Sequence, residues 1–197
     1  EDRDYGRIHE ASIDILENTG VIFQNDEAIE IFKKHGAKVD GYRVYITRDM
    51  VDKALKTLPR TYKLYSRNPE QTVEIGKDFA VQPNAGAVFI QDLDHGKRLA
   101  GIEDYGNMMR LAQASDIINL VGAHPLDPSD VPSEFKHLHM CYEVLKNSDK
   151  PALGFTMNQK NSKEFLDMIQ ISMGMAPGEE TDIQYSNFSA NPLSPLS

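Results

Sequence analysis

The chain has 197 residues, enough for one sizeable core or two small ones. Its 30 acidic and 21 basic side chains give a formal net charge of -9, which excludes a general nucleic-acid binder and leaves a cationic small-molecule ligand open. Cys141 is the only cysteine, so no intrachain disulfide can form; no apolar run approaches the ~20 residues that span a bilayer. A reducing cytoplasm fits this composition. The charged start EDRDYGRIHEAS has neither a signal-peptide core nor an initiator Met, and residues are expected upstream of it.

Residues 5–19 read as a helix with Ile8, Ala11, Ile15 and Leu16 as its apolar stripe, stopped by Gly20. Asn25 or Asp26 caps a second helix with Ala28, Ile29 and Phe32 inward, ended by Gly36. Gly41 within Val39–Ile46 predicts a small hairpin. Thr47 caps a helix over Arg48–Leu58, and Pro59 closes it. Tyr62–Ser66 and Val73–Ile75 are short strands around the Asn68-Pro69 turn. Residues 1–76 therefore read as a small helical and β-ribbon segment, with nothing catalytic in it.

After Phe79 the pattern changes. Val81 and Ala87–Ile90 have strand chemistry, broken by Pro83-Asn84-Ala85-Gly86, and Asp94-His95-Gly96 makes a hairpin turn before Lys97 and Arg98. Glu103–Ser115 has helical spacing, with Met108, Leu111 and Ala112 on one side, and Ile117–Val121 suits a strand buried on both faces. Strands at Ala152–Thr156 and Asp182–Phe188 then alternate with helices at Ser133–Asn147 and Ser162–Met173. The period is about 30 residues, the size of a βαβ unit, which implies a parallel sheet. Counting the strand near Phe79 gives about four parallel strands, an open sheet or half of an eight-stranded barrel. No Gly-rich phosphate loop follows any strand, and the chain stops in loop-like sequence after the last one. Residues 77–197 are thus expected to be the N-terminal part of a (β/α)8 TIM barrel, cut near its midpoint, with open edges that should make it oligomerise, pair with its missing half or aggregate; a homo-oligomer is the expected state.

Barrel sites are built by loops at the carboxyl ends of strands. The polar residues there are Asn84, His124, Thr156, Asn158, Asn187, Ser189 and Asn191, and the nearby aromatics are Phe89, Phe155, Tyr185 and Phe188. Asn-rich ends suit neutral recognition better than proton transfer, and aromatic faces suit a quaternary ammonium. Taken singly, each Asn is more often a cap or turn residue and each aromatic more often core. We select Asn84, Phe89, His124, Phe155, Thr156, Asn187 and Asn191 as substrate-binding candidates, with no catalytic residue and no metal ligand assigned. Glu134 and His137 have Glu-x-x-His spacing but no second copy, so a solvated helix face is expected. His137 and His139 are two apart and cannot share a metal; Cys141 reads as core. The sequon Asn187-Phe188-Ser189 has no secretory context.

The run PNAGAVFIQDLDHGKRLAGIEDYGNMMRLAQASDIINLVGAHPLDPSDVP, the opening IHEASIDILENTGVIF and the closing SANPLSPLS resemble the trimethylamine methyltransferase superfamily. The Asn-Ala-Gly turn, the Asp/Gly/Arg ribbon and the Asp-Tyr helix start occur in the family's order. The likeness covers nearly the whole chain but only the N-terminal part of a full-length member. It implies a TIM barrel and a cytoplasmic, corrinoid-dependent methyltransferase. Such a protein moves a methyl group from a tertiary or quaternary amine, such as trimethylamine or glycine betaine, to the Co(I) corrinoid (methylcobalamin once loaded) of a partner corrinoid protein. No cofactor would be bound directly. Some members carry pyrrolysine, at a position in the C-terminal half, and the isolated fragment is expected to be inactive. The alternative is a non-catalytic betaine-binding module. An unrelated barrel hydrolase or lyase would need paired carboxylates or a metal cluster, and neither is found.

Overall fold

The structure is a computed structural model and describes residues 2–77, 79–122, 124–154 and 158–188. It divides into two units, one ending at Pro59 and one beginning at Arg60.

In the first unit, helix α1 (Asp2–Asp14) runs into a π-helical turn, Ile15–Thr19, that ends at Gly20. There follow β1 (Val21–Ile22), α2 (Asp26–Lys34), β2 (Lys38–Asp40), β3 (Arg43–Tyr45) and α3 (Arg48–Thr57). The strands form an antiparallel sheet in the order β1-β3-β2. The caps are those the sequence predicts. Asn25 Oδ1 accepts from the Ala28 amide at 2.9 Å, and Thr47 Oγ1 accepts from the Met50 amide at 3.3 Å. Ile29, Ala37 and Val44 are buried, with Phe23, Phe32, Val39, Ile46 and Met50 packed on them. The stripe expected on α1 is not the one buried: Ile13 is 2% exposed, whereas Ile8 and Ile15 are 65% and 54% exposed. On a 3.6-residue helix Ile13 lies roughly opposite Ile8 and Ala11, and the face that packs is the one that carries Ile13.

The second unit begins with hairpin β4 (Tyr62–Leu64)–β5 (Val73–Ile75), whose connection contains a 3₁₀ turn at Pro69–Gln71 capped by Asn68. Hairpin β6 (Phe89–Asp92)–β7 (Gly96–Leu99) comes next, then α4 (Ile102–Ala114). The chain continues through β8 (Val121–Gly122), α5 (Lys136–Asn147), β9 (Ala152–Leu153), α6 (Gln159–Ser172) and β10 (Ser186–Asn187). Strands β8, β9 and β10 lie side by side in chain order and pair in parallel, joined by α5 and α6. The class is mixed α/β with parallel strands in one sheet. Tyr105, Met109 and Ala112 of α4 meet Met140, Cys141 and Val144 of α5, Phe165 and Ile169 of α6, and Val121 and Ala152 of the sheet in one buried cluster.

Three local expectations change. On α4 the buried face is Tyr105, Met109 and Ala112, and Leu111 is 66% exposed. Residues 117–120 form no strand, and Ile117 is 73% exposed. Their backbone is committed to a turn. The Ser115 hydroxyl accepts from the Ile117 and Ile118 amides, and Lys150 Nζ donates to the carbonyls of Ala112, Ser115 and Ile118 at 2.8, 2.7 and 2.6 Å. Residues 79–86 are also irregular, so the parallel sheet has three strands among the described residues rather than four. Pro83 lacks the amide a central strand needs. Instead Val81 O accepts from the Asn119 and Leu120 amides, and Asn119 Oδ1 accepts from the Val81 amide at 3.0 Å.

At the amino end of β9 a polar clasp joins distant segments. Asp149 accepts from Asn68 Nδ2 at 2.8 Å and Gln113 Nε2 at 2.7 Å, Ser66 Oγ donates to its carbonyl, and Arg67 donates to the Leu145 and Ser148 carbonyls. The Asn68 bond is the main reason the Asp149 carboxyl titrates below its ordinary range.

Candidate functional site: a cleft beyond the carboxyl end of β8

Ligands of parallel α/β sheets gather beyond the carboxyl ends of the strands. At that end of β8, Gly122 has φ +90°, and a Cβ there would lie 2.6 Å from the Leu153 carbonyl oxygen. Only glycine lets β8 approach β9 this closely before the chain turns away. Just past β9, Gly154 leaves room for the Phe188 ring, which packs on its backbone and meets Phe165 edge-on at 5.7 Å.

After β8 the segment 124–127 is zipped to 86–87. The Gly86 amide donates to His124 O at 2.7 Å, the Asp127 amide donates to Ala87 O at 2.8 Å, and Ala87 and Leu126 form a parallel bridge. Pro125, Leu126 and Pro128 are buried beneath. This pairing sets His124 and Asp127 on the wall of a cleft of about 390 Å³ with Gly86 and Val88; Ser133 and Lys136, at the start of α5, complete the lining. Lys136 Nζ is 2.8 Å from Asp127 Oδ1, and the two side chains are 16% and 45% exposed. Burial holds the His124 imidazole below its ordinary pKa; Asp127 opposes this and Lys136 adds to it. The ring is therefore neutral at pH 7.

Of the sequence candidates, His124 lines the cleft and three others do not. Asn84 is exposed in the turn before Gly86. Phe89 opens β6 at 52% exposure with Lys97 Nζ 4.6 Å above its ring. Asn187 is exposed on β10, its carbonyl accepting from the Gly154 amide at 2.8 Å. Phe155, Thr156 and Asn191 lie outside the described residues. Asp127, Ser133 and Lys136 escaped the sequence reading. One signal was available for Lys136: a cation in the first turn of a helix opposes the macrodipole and asks for a local reason.

His137 is not on a solvated face. It is 2% exposed, with Nε2 2.6 Å from Glu164 Oε2 on α6 and Nδ1 buried without a hydrogen-bond partner. Among the described residues no three His, Cys, Asp or Glu side chains gather closely enough to hold a metal ion, and no helix is long and apolar enough to cross a membrane.

Residues 1–197 match the trimethylamine methyltransferase (MTTB) family. A glycine betaine methyltransferase of Desulfitobacterium hafniense (strain Y51) is 39% identical over 169 residues, covering 85% of this chain and 35% of the relative. The proline betaine:corrinoid methyltransferase of Eubacterium limosum is 33% identical over 162 residues, 81% of this chain and 33% of the relative. The trimethylamine methyltransferase MttB of Desulfitobacterium hafniense (strain DSM 10664 / DCB-2) is 26% identical over 201 residues, 99% of this chain and 40% of the relative. The chain spans between 33% and 40% of the length of these relatives. On the match over its whole length, the chain belongs to the trimethylamine methyltransferase family.

Proposed function

We propose that this chain supplies the N-terminal part of a (β/α)8 barrel, residues 77–197 behind a segment 1–76, in a methyltransferase that passes a methyl group from an N-methylated amine to the Co(I) corrinoid of a partner protein. The carrying observation is the cleft of His124, Asp127 and Lys136 beyond the carboxyl end of β8, in a chain of this family. Three adjacent parallel strands in chain order, joined by helices, support the barrel reading.

In the reaction the bond from nitrogen to the methyl carbon breaks and its electron pair stays on nitrogen. A quaternary substrate thus leaves as a neutral tertiary amine and needs no general acid. The partner's corrinoid supplies the electron pair that accepts the methyl group. This chain's residues hold the amine, aim one methyl group and keep water out, which is positional catalysis. The neutral imidazole of His124 is a polar wall that does not repel a cationic substrate. The same reading makes the protein a cytoplasmic homo-oligomer, which size-exclusion chromatography with light scattering checks.

The test is a methyl-transfer assay with the intact protein, its corrinoid partner reduced to Co(I), and glycine betaine or trimethylamine. Loss of the Co(I) absorption with equimolar demethylated amine is the expected result. Amine binding with no transfer would favour the binding module, and neither binding nor transfer would sink the proposal.

A further inference from the structure

We propose that helix α1 is an exchange arm: its exposed apolar stripe docks in the groove between α2 and α3 of a second copy of this chain, whose own α1 returns into the first copy. The inference gives the homo-oligomer of the reading above a contact surface and rests on nothing else in it.

Every residue from Asp4 to Ser12 is exposed. The helix is tied to its own unit near its carboxyl end, by buried Ile13 and by the ion pair of Glu10 with Arg48. Isolated helices shorter than about 12–15 residues are marginal in water. Helix α1 has 13 residues, with the poor helix former Gly6 in its interior, so it needs a surface to lie on. Its outward face suits one. Tyr5, Ile8, Ala11, Ser12 and Ile15 recur there at helical spacing, Tyr5 70% exposed and both isoleucines more than half exposed. Ile13 lies roughly opposite, so the stripe faces away from the unit into which Ile13 packs.

The same unit has a groove of about 460 Å³ lined by Ile31 and Phe32 of α2 and by Met50, Ala54, Leu55 and Leu58 along α3; only His35 and Thr57 in its lining are polar. Ile31, Leu55 and Leu58 are each more than half exposed. Such a groove takes the apolar face of a third helix, at positions i, i+3, i+4 and i+7. Ile8, Ala11, Ser12 and Ile15 have that spacing. The lengths agree too: at the helical rise Tyr5 to Ile15 spans about 15 Å and Met50 to Leu58 about 12 Å. Neither the stripe nor the lining holds an Asp, Glu, Lys or Arg, so docking buries apolar surface without stranding a charge. A ridge and a groove on one polypeptide make a contact between copies, and reciprocal exchange about a two-fold axis closes it with both grooves filled.

The experiment is size-exclusion chromatography with light scattering on the intact protein, as wild type, Ile8→Glu and Leu55→Glu. A dimer or an even multiple is expected for the wild type, and half that mass for each variant. Chains carrying Ile8→Cys and chains carrying Leu55→Cys, co-expressed, should be joined one to the other by a short bismaleimide; Cys141 is buried and takes no part. If a Glu variant fails to fold, the cysteine pair decides. A monomeric wild type overturns the inference and the expected homo-oligomer together, without touching the methyl-transfer reading. An oligomer with no cross-link between the two kinds of chain overturns the inference and leaves the homo-oligomer standing. Cross-links only between chains of one kind overturn it as well, since the arm then meets something other than the groove.

Discussion

Arg98 grips Asp104 with two parallel bonds, Nη1 to Oδ2 at 2.6 Å and Nη2 to Oδ1 at 2.7 Å. The pair ties the end of β7 to the first turn of α4. Asp104 Oδ2 also accepts from the Gly101 amide at 2.8 Å, which caps the helix. Arg98 reaches Asp92 at 3.2 Å, and Asp92 Oδ1 closes the hairpin by accepting from the Asp94 and His95 amides. The Asp/Gly/Arg ribbon and the Asp-Tyr helix start thus form a brace between hairpin and helix, and Tyr105 is wholly buried in the core beside it.

Asp104→Ala should cost about 1–2 kcal/mol of stability through the lost cap and ion pair. Arg98 is the main cause that holds the Asp104 carboxyl below its ordinary 3.8. A carboxylate with a depressed folded pKa contributes stability above its unfolded pKa and loses it as pH falls through the folded value. Urea denaturation should show the Asp104→Ala deficit in full at pH 7 and shrinking below 3.8. A deficit independent of pH would mean that the ion pair contributes nothing.

Lys150→Met removes the donor shared by the Ala112, Ser115 and Ile118 carbonyls at the end of α4. The loss should be about 2–4 kcal/mol, read as a lower melting temperature, since partly buried acceptors are left unmet. The candidate cleft lies at the other end of the sheet, so any ligand affinity should persist in the folded variant.

Gly122→Ala should destabilise by more than about 2 kcal/mol, because φ +90° strains an L-residue and the new methyl meets Leu153 O at 2.6 Å. Thermal melting checks this, and a stability equal to the wild type would disprove the close approach of β8 and β9.

The His124 imidazole should titrate below its ordinary 6.5, chiefly because it is buried. Lys136→Met should raise that pKa and Asp127→Asn should lower it further, since the two charges act in opposite directions. Nitrogen-detected NMR titration reads both. A depressed folded pKa means that this residue's share of stability is present above the unfolded pKa and lost as pH falls.

Cys141 is wholly buried, and burial pushes its thiol up to about 12. Iodoacetamide at pH 8 should leave it unmodified in the native protein and label it only after denaturation. Rapid native labelling would contradict the packing of α5.

Local chemistry was legible in the sequence because it acts over a few residues. The caps at Asn25 and Thr47, the hairpin at Gly41 and the strand–helix alternation from β8 to β10 all rest on neighbours within one turn or one period. What acts between distant residues was not. The buried face of α1 carries Ile13 rather than the expected stripe, and the expected strand before Val121 was replaced by a turn that Lys150 holds from more than thirty residues away. The cleft is of this second kind: Lys136, a cation in the first turn of α5, asks for a nearby partner, but nothing local says that the partner is Asp127. Only the zipping of 86–87 to 124–127 and the docking of α5 bring them to 2.8 Å, because a parallel bridge joins segments whose separation no local pattern encodes.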